Sequence, residues 1–476
     1  MHIPTALTYD DVLIVPRRSS LASRSEANTK TRLTKKLSLN IPLVPANMDT
    51  VTGTDMAIAI ARLGGIGLLH RFWSIEENAE AVRHVKRAQN LVVHQPYTID
   101  PDKTIEEAKE YAISIGVTGL LVANGDRRLQ GILSRRDFLF ATSDHHYVRD
   151  IMTPREKLFV GKAGTTFEEA KKIFAKHKIE KLPLIDDDNH ILGLITSDDI
   201  VHNINYPLAN RDEYGRLLVG GSVGVHGDFI ERAEELVKAG ADVLVIDIAH
   251  GHSDLMFNAI EKVRDAVGDI QLIAGNIATA HAAKELCEAG VDALKVGVGP
   301  GTICVTRMVT GCGMPQLTAI MEVSKIAKQY GVPVIADGGI QRSGDIVKAI
   351  GAGADSVMMG SMYAGTDESP GIIMAKDGKK FKVYRGSASF TQSHSRKRLG
   401  LESKNLKEVV PEGVESLVPY KGSVEDIVYQ LVGGLKSGMS YTNSHSIAEL
   451  QQNCEFVRIT PAGRHESGSH DVQALT

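Results

Sequence analysis

Only four cysteines occur in 476 residues, at 287, 304, 312 and 454. They show neither metal-ligand spacing nor a secreted disulfide pattern. No apolar run approaches the roughly 20 residues that a membrane-spanning helix needs, and the start, MHIPTALTYDD, lacks the basic-then-apolar order of a secretory signal. Net charge is scarce too: −4, with a pI near 6.5, gives no electrostatic reason to expect nucleic acid or an acidic membrane as partner. The 17 histidines show no paired metal spacing, and His250 with His252 reads as part of a loop rather than as a zinc site. The ending Ala474-Leu-Thr476 is not a peroxisomal address. These absences predict a soluble, cytoplasmic protein. At this length two or three compact units are expected.

The most informative stretch runs from Gly297 to Gln316, GVGPGTICVTRMVTGCGMPQ. It places Cys304 in a glycine-rich loop directly after the short apolar run Ala293–Gly297. Glycines let a ligand or ion approach backbone carbonyls and amides closely, and a thiolate on such a loop can attack electron-poor carbon. Pro300, and the lack of an acidic residue after a βαβ unit, argue against a dinucleotide fingerprint. Taken alone, the loop also fits a structural turn around a buried cysteine. Cys287 and Cys454 sit on helical patterns and read as structural, and nothing marks Cys312 as reactive.

From about residue 216 apolar runs alternate with helical patterns: Leu217–Val223, Val243–Ala249, Leu272–Ile277, Ala293–Val298, Val334–Gly339 and Ser356–Ser361. Such continuous Val/Ile/Leu runs suit parallel strands buried on both faces. With Ile41–Ala46 and Ile66–His70 they make eight, the count for a (β/α)8 barrel, whose active-site face lies just after each strand. An open doubly wound sheet is the alternative. Between the second and third strands lies an internal repeat offset by 62 residues: Thr104–Ala108 recurs as Thr166–Ala170, and Leu129–Asp137 as Ile191–Asp199. The expected organisation is a barrel from 1–91 and 206–476, with a mobile flap at about 386–420, and an inserted tandem unit at 92–205.

Polar groups gather where the strands end. Asp337-Gly-Gly339 and Gly360-Ser361 offer amides for a phosphate and a carboxylate for a ribose diol. Asp247 to Ser253 adds carboxylate, imidazole and hydroxyl groups, and Asn276 ends a further strand. One such residue is usually a cap; sets at successive strand ends point to a nucleotide site.

Together the cysteine loop, these strand ends, the tandem repeat, Leu7–Leu13, Asn47–Thr50, Lys421-Gly422 and Gly433–Gly438 resemble the IMP dehydrogenase/GMP reductase family, over nearly the whole chain. The repeat resembles a CBS pair (a Bateman module). The resemblance implies that Cys304 attacks C2 of a purine nucleotide to form a thioimidate, and that Thr306 and Glu412 relay protons. Asn276, Thr302, Asp337, Gly339, Gly360, Ser361, Tyr384, Gly386, Ser387 and Ala388 would hold the substrate, with Glu412 facing the purine N1 edge. Asp247 and Ser253 would touch the nicotinamide cofactor. The carbonyls of Gly299, Gly301 and Cys304 resemble a potassium loop, completed by Glu466, Ser467 and Gly468 of a neighbour in a homotetramer or homo-octamer. Ser134 with Asp137, and Thr196 with Asp199, would bind regulatory purine nucleotides; ordinary helix capping is the alternative for each pair.

Family dehydrogenases carry an Arg-Tyr pair on the flap to hydrolyse the thioimidate, and reductases do not need it. No Arg-Tyr occurs here: Arg398 is followed by Leu399. The segment Gly386-Ser-Ala-Ser389 departs from the dehydrogenase wording, and Asn47 stands where dehydrogenases usually have alanine. These departures resemble the CBS-containing GMP reductases and imply GMP, NADPH, IMP and ammonia as reactants, with NADH or NAD left open. Pro411–Glu415, Pro419–Gly422 and Ile459–Gly463 are dehydrogenase-like in wording. NAD-dependent oxidation of IMP, with Arg396 or Arg398 as substitute base, is the alternative. A catalytically silent nucleotide sensor is the third reading.

Overall fold

The computed structural model describes residues 3–88, 92–93, 96–142, 146–389 and 411–468. Eight short strands are almost wholly apolar and buried: β1 (Leu43–Pro45), β2 (Gly67–Leu69), β3 (Val219–Val223), β4 (Val243–Asp247), β5 (Gln271–Ile277), β6 (Ala293–Val296), β7 (Val334–Asp337) and β8 (Ser356–Met359). They form one parallel sheet in the order β1-β8-β7-β6-β5-β4-β3-β2. A helix follows each: α1 (Thr54–Arg62), α2 (Ile75–Ala88), α3 (Phe229–Lys238), α4 (Asp254–Val267), α5 (Ala280–Glu288), α6 (Gln316–Ala327), α7 (Ser343–Gly351) and α8 (Val424–Tyr441). Parallel strands need such crossovers, and the helices cover the outer face.

Side-chain alternation sorts the strand residues into two layers. Val44, Leu68, Val243, Val245, Ile273, Ala293, Ile335 and Met358 share an inner cluster, to which β1 and β2, at the two ends of the strand order, both contribute. Their neighbours Leu244, Ile246, Leu294, Val296, Ala336 and Val357 pack outward among the helices. The sheet is therefore closed into a (β/α)8 barrel. At its N-terminal end Leu33 and Leu39, from the hairpin strands Thr31–Arg32 and Ser38–Leu39, join the inner cluster.

Met1–Ala88, Leu208–Asp212 and Leu217–Thr476 make up the barrel unit; Gln89–Pro207 and Glu213–Arg216 form a second compact unit. The division differs from the sequence boundaries at 206–216. Asn210 accounts for part of this, since its amide donates to the carbonyls of Gly64 and Gly65 and ties 208–212 to the barrel.

Within the second unit the 62-residue repeat is visible in detail. Gly119–Ala123 pairs antiparallel with Leu129–Ser134, and Lys181–Ile185 with Ile191–Thr196. Each hairpin shifts register at the equivalent step, Val122/Ala123 in one and Leu184/Ile185 in the other. Helices Ile105–Ser114 and Phe167–His177 open on the same capping box, Thr104 with Glu107 and Thr166 with Glu169. Among the described residues no helix is long and apolar enough to cross a membrane.

Candidate active site

A cavity of about 460 Å³ opens at the C-terminal ends of the barrel strands. Strand parity decides what reaches it. Asp247 continues the inner row of Val243 and Val245, Lys295 follows Ala293, and Asp337 follows Ile335, so three charged groups converge at the top of the barrel interior. Lys295 Nζ donates to Asp247 Oδ1 (2.7 Å), to Asp337 Oδ2 (3.1 Å) and to Asn276 Oδ1. Burial alone would lower the Lys295 pKa, but the two carboxylates outweigh it and raise the value, so the side chain stays an ammonium. Asp247 shows the complement: burial pushes its carboxyl up, and Lys295, with smaller help from Arg71 and Asn47, brings it below the ordinary value.

Two asparagines fix this cluster. Asn276 Nδ2 donates to Asp337 Oδ2 (2.9 Å) and to the Gly297 carbonyl (2.8 Å). Asn47 Nδ2 donates to Asp247 Oδ2 (3.1 Å) and Ser222 Oγ (2.9 Å).

The cysteine loop leaves β6 at Gly297, where φ is +151° and a Cβ would lie 2.0 Å from the Asp337 carbonyl oxygen. Only glycine permits that approach. Further along, three segments are zipped together by backbone hydrogen bonds. Val305 N–H donates to the Glu412 carbonyl (2.9 Å), Val414 N–H to Ile303 (3.0 Å), and Glu412 N–H to Ala388 (3.1 Å). This zipper sets Glu412 against the loop from 106 residues away. Thr306 Oγ1 donates to Glu412 Oε2 at 2.7 Å, and Cys304 Sγ lies 3.2 Å from the same hydroxyl oxygen. Since the hydroxyl proton goes to the carboxylate, the sulfur in its thiol form is the donor to Thr306. A directional path runs from thiol to hydroxyl to carboxylate.

Across the cavity, Thr302 Oγ1 donates to Ser361 Oγ (3.2 Å), and Gly338 and Gly339 have positive φ. Tyr384 is buried against Gly360, where an added Cβ would lie 2.2 Å from the phenol oxygen. Gly386, Ser387 and Ala388 line the same space, as do Gly299 and Gly301.

Several expected site residues lie elsewhere. Ser253 precedes α4, and its buried Oγ has no hydrogen-bond partner among the described residues. Glu466, Ser467 and Gly468 end the helix Pro461–Glu466, and the N–H groups of Ser467 and Gly468 return to carbonyls within it. In the second unit Ser134 Oγ donates to Asp137 Oδ2 (2.6 Å) and Thr196 Oγ1 to Asp199 Oδ2 (2.6 Å), each pair capping a helix. Arg396, Arg398 and the rest of 390–410 lie outside the described residues.

Lys295 was not picked out by sequence reasoning. Its signal was a lysine inside an otherwise apolar central strand. Of the other cysteines, burial pushes the Cys287 thiol up to about 11 and the Cys454 thiol likewise, which suits structural roles.

A family model described as IMP dehydrogenase / GMP reductase domain matches residues 6–470. Inosine-5'-monophosphate dehydrogenase of Nitrosopumilus maritimus is 51% identical over 477 residues, 99% of each chain. GMP reductase of Leishmania donovani is 49% identical over 484 residues, covering 99% of this chain and 98% of that one. A cysteine-to-alanine variant of GMP reductase from Trypanosoma brucei, solved in complex with guanosine 5'-monophosphate, matches with a TM-score of 0.91 and 48% identity across 99% of both chains. GMP reductase from the same organism in complex with guanosine 5'-triphosphate gives a TM-score of 0.79 and 44% identity, covering 96% of this chain and 98% of that one.

Proposed function

The chain belongs to the IMP dehydrogenase/GMP reductase family of purine nucleotide oxidoreductases, and we propose that within it the chain is a GMP reductase, converting GMP to IMP and ammonia. The observation that carries the thioimidate chemistry is the Cys304–Thr306–Glu412 path, and the missing Arg-Tyr in the flap sequence is what favours the reductase within the family. The path lets Glu412 take up the thiol proton as sulfur attacks C2 of GMP, and return a proton to the departing amine as ammonia leaves. What remains is a thioimidate on Cys304 that needs reduction and no water. The family uses NAD(P), and the bound nicotinamide, NADPH in this reading, supplies the hydride to C2. Departure of Cys304 as thiolate then gives IMP. The fit of the cofactor to the chain rests on Asp247 in the cavity wall and on the buried Ser253 hydroxyl, which lacks a protein partner among the described residues.

For the nucleotide itself, Asp337 would take the ribose diol, with Asn276 and Lys295 holding the carboxylate in place. Gly339, Gly360, Ser361, Thr302 and Tyr384 would surround the phosphate, and Gly386–Ala388 the base. That the Trypanosoma brucei reductase was solved in complex with guanosine 5'-monophosphate supports GMP as the nucleotide. The absence of Arg-Tyr in the flap sequence, and Asn47 beside Asp247, favour reduction over hydrolysis.

The Nitrosopumilus maritimus relative supports a second reading, NAD-dependent oxidation of IMP to XMP; it requires Arg396 or Arg398 to replace the missing flap base. A silent sensor would have no use for the proton path.

Three further assignments belong to the proposal. Purine nucleotides would bind at Ser134/Asp137 and Thr196/Asp199; that the Trypanosoma brucei reductase was solved in complex with guanosine 5'-triphosphate supports a purine nucleotide as a ligand, and the residues are assigned by the resemblance of the repeat to a CBS pair. Potassium, a hard cation suited to oxygen donors, would take the carbonyls of Gly299, Gly301 and Cys304 with Glu466–Gly468 of a second copy. The assembly would be a homotetramer or homo-octamer.

The chemistry is tested by Cys304→Ala and Glu412→Gln in single-turnover experiments with GMP. The first should abolish both ammonia release and the protein-bound nucleotide seen by intact-mass spectrometry. The second should slow ammonia release by about 10²–10⁴-fold, the usual contribution of general acid–base catalysis. Ammonia release within twofold of wild type in Glu412→Gln would remove the carboxylate from the mechanism.

A further inference from the structure

Outside the nucleotide cavity, the barrel brings together three side chains that are far apart in sequence. His252 lies on the loop between β4 and α4, one residue before Ser253. His281 and Glu285 lie one turn apart on α5, the helix that follows the neighbouring strand β5, so they share a face. His252 Nε2 is 2.7 Å from Glu285 Oε2, and His281 Nε2 is 3.3 Å from Glu285 Oε1. One donor atom from each of the three residues falls within a span of 4.8 Å. We propose that His252, His281 and Glu285 form a site for a zinc-class divalent transition ion, separate from the purine chemistry.

Two imidazoles and a carboxylate are the ligand types of open zinc sites, which keep a fourth position for water. With metal–ligand bonds near 2.0–2.1 Å, tetrahedral geometry places ligand atoms about 3.3 Å apart. The His281–Glu285 separation of 3.3 Å already meets that value, and the His252–Glu285 hydrogen bond of 2.7 Å would open by about 0.6 Å to admit the ion. The remaining adjustment falls on His281, whose side chain is 72% exposed and free to rotate toward the ion. The ion would occupy the place of the protons that the carboxylate now shares with the two rings. Sequence spacing concealed the trio, because residues 252, 281 and 285 form no local motif and meet only through the βα order of the barrel.

Chelator-treated wild-type protein would be titrated with Zn²⁺ by calorimetry, beside His281→Ala and Glu285→Ala. Trp73 fluorescence serves as the folding control. The proposal expects saturable binding in wild type, weakened by at least about tenfold in each variant, since even outer partners of metal ligands cost that much when removed. Co²⁺ should give visible d–d absorption that both variants lose. Identical isotherms in all three proteins would move the ion elsewhere and overturn the site. No saturable binding below about 1 mM, a free energy weaker than about −4 kcal/mol, would reduce the trio to a hydrogen-bonded histidine–carboxylate cluster. Loss of purine activity does not enter either outcome, so this test stands apart from the proposed reaction.

Discussion

Replacing Lys295 by methionine removes the ammonium that Asp247 and Asp337 share while retaining most of the aliphatic stem. The lysine side chain is 3% exposed and the two carboxylates 19% and 20%, so water can only partly replace the lost charge. Breaking a buried ion pair by removing one partner typically costs about 3–5 kcal/mol. The partial exposure of the carboxylates puts the expectation at the low end, about 3 kcal/mol, a large share of a domain's usual 5–15 kcal/mol.

The chain's single tryptophan, Trp73, lies in the barrel unit, so urea unfolding followed by its fluorescence reports on that unit. The cost should also depend on pH. In the wild type Asp247 has a lowered pKa; its contribution is present above the ordinary carboxylate value and is lost as pH falls through the folded one. Without Lys295, burial dominates and raises the folded pKa. The native state then binds the proton more tightly than the unfolded chain, and stability rises as pH falls. The penalty should therefore be smaller at about pH 5 than at about pH 7. Asp247→Asn added to Lys295→Met should recover part of the loss, because it removes a stranded charge. An unfolding free energy within about 0.5 kcal/mol of wild type, the range of ordinary surface substitutions, would refute the reasoning. So would a penalty that grows toward acid.

Gly360→Ala places a methyl group 2.2 Å from the Tyr384 hydroxyl; the expected cost is about 1–3 kcal/mol of strain and a raised KM for the nucleotide, with Tyr384→Phe in the same chain relieving the strain. Asp137→Ala and Asp199→Ala each remove a capping carboxylate and should loosen their helices by about 1 kcal/mol in hydrogen exchange. They should also abolish any effect of purine nucleotides on activity or assembly, and an unchanged nucleotide response would leave these residues as caps alone.

The barrel was legible because parallel strands covered on both faces must be written as apolar runs, and eight such runs appear. The 62-residue repeat was legible because its capping residues and hairpins recur without a gap, down to the shared register shift. Less visible were contacts set by closure. Lys295 hid inside an apolar run, since strand parity that turns a lysine into the barrel only matters once the carboxylates of β4 and β7 face it. The bond between Thr306 and Glu412 depends on the zipper joining 303–305, 386–389 and 412–414, which no local pattern announces. The boundary near 208–216 was blurred because Asn210 anchors its neighbours to the barrel while Glu213–Arg216 belong with the second unit.

Absorbance at 340 nm in two parallel reactions of the intact protein, GMP with NADPH and IMP with NAD⁺, tests the central claim most directly. The account predicts falling absorbance with stoichiometric ammonia in the first reaction and little change in the second. A rise in the second reaction with XMP formed, and a flat first reaction, would contradict it and turn the thioimidate toward hydrolysis.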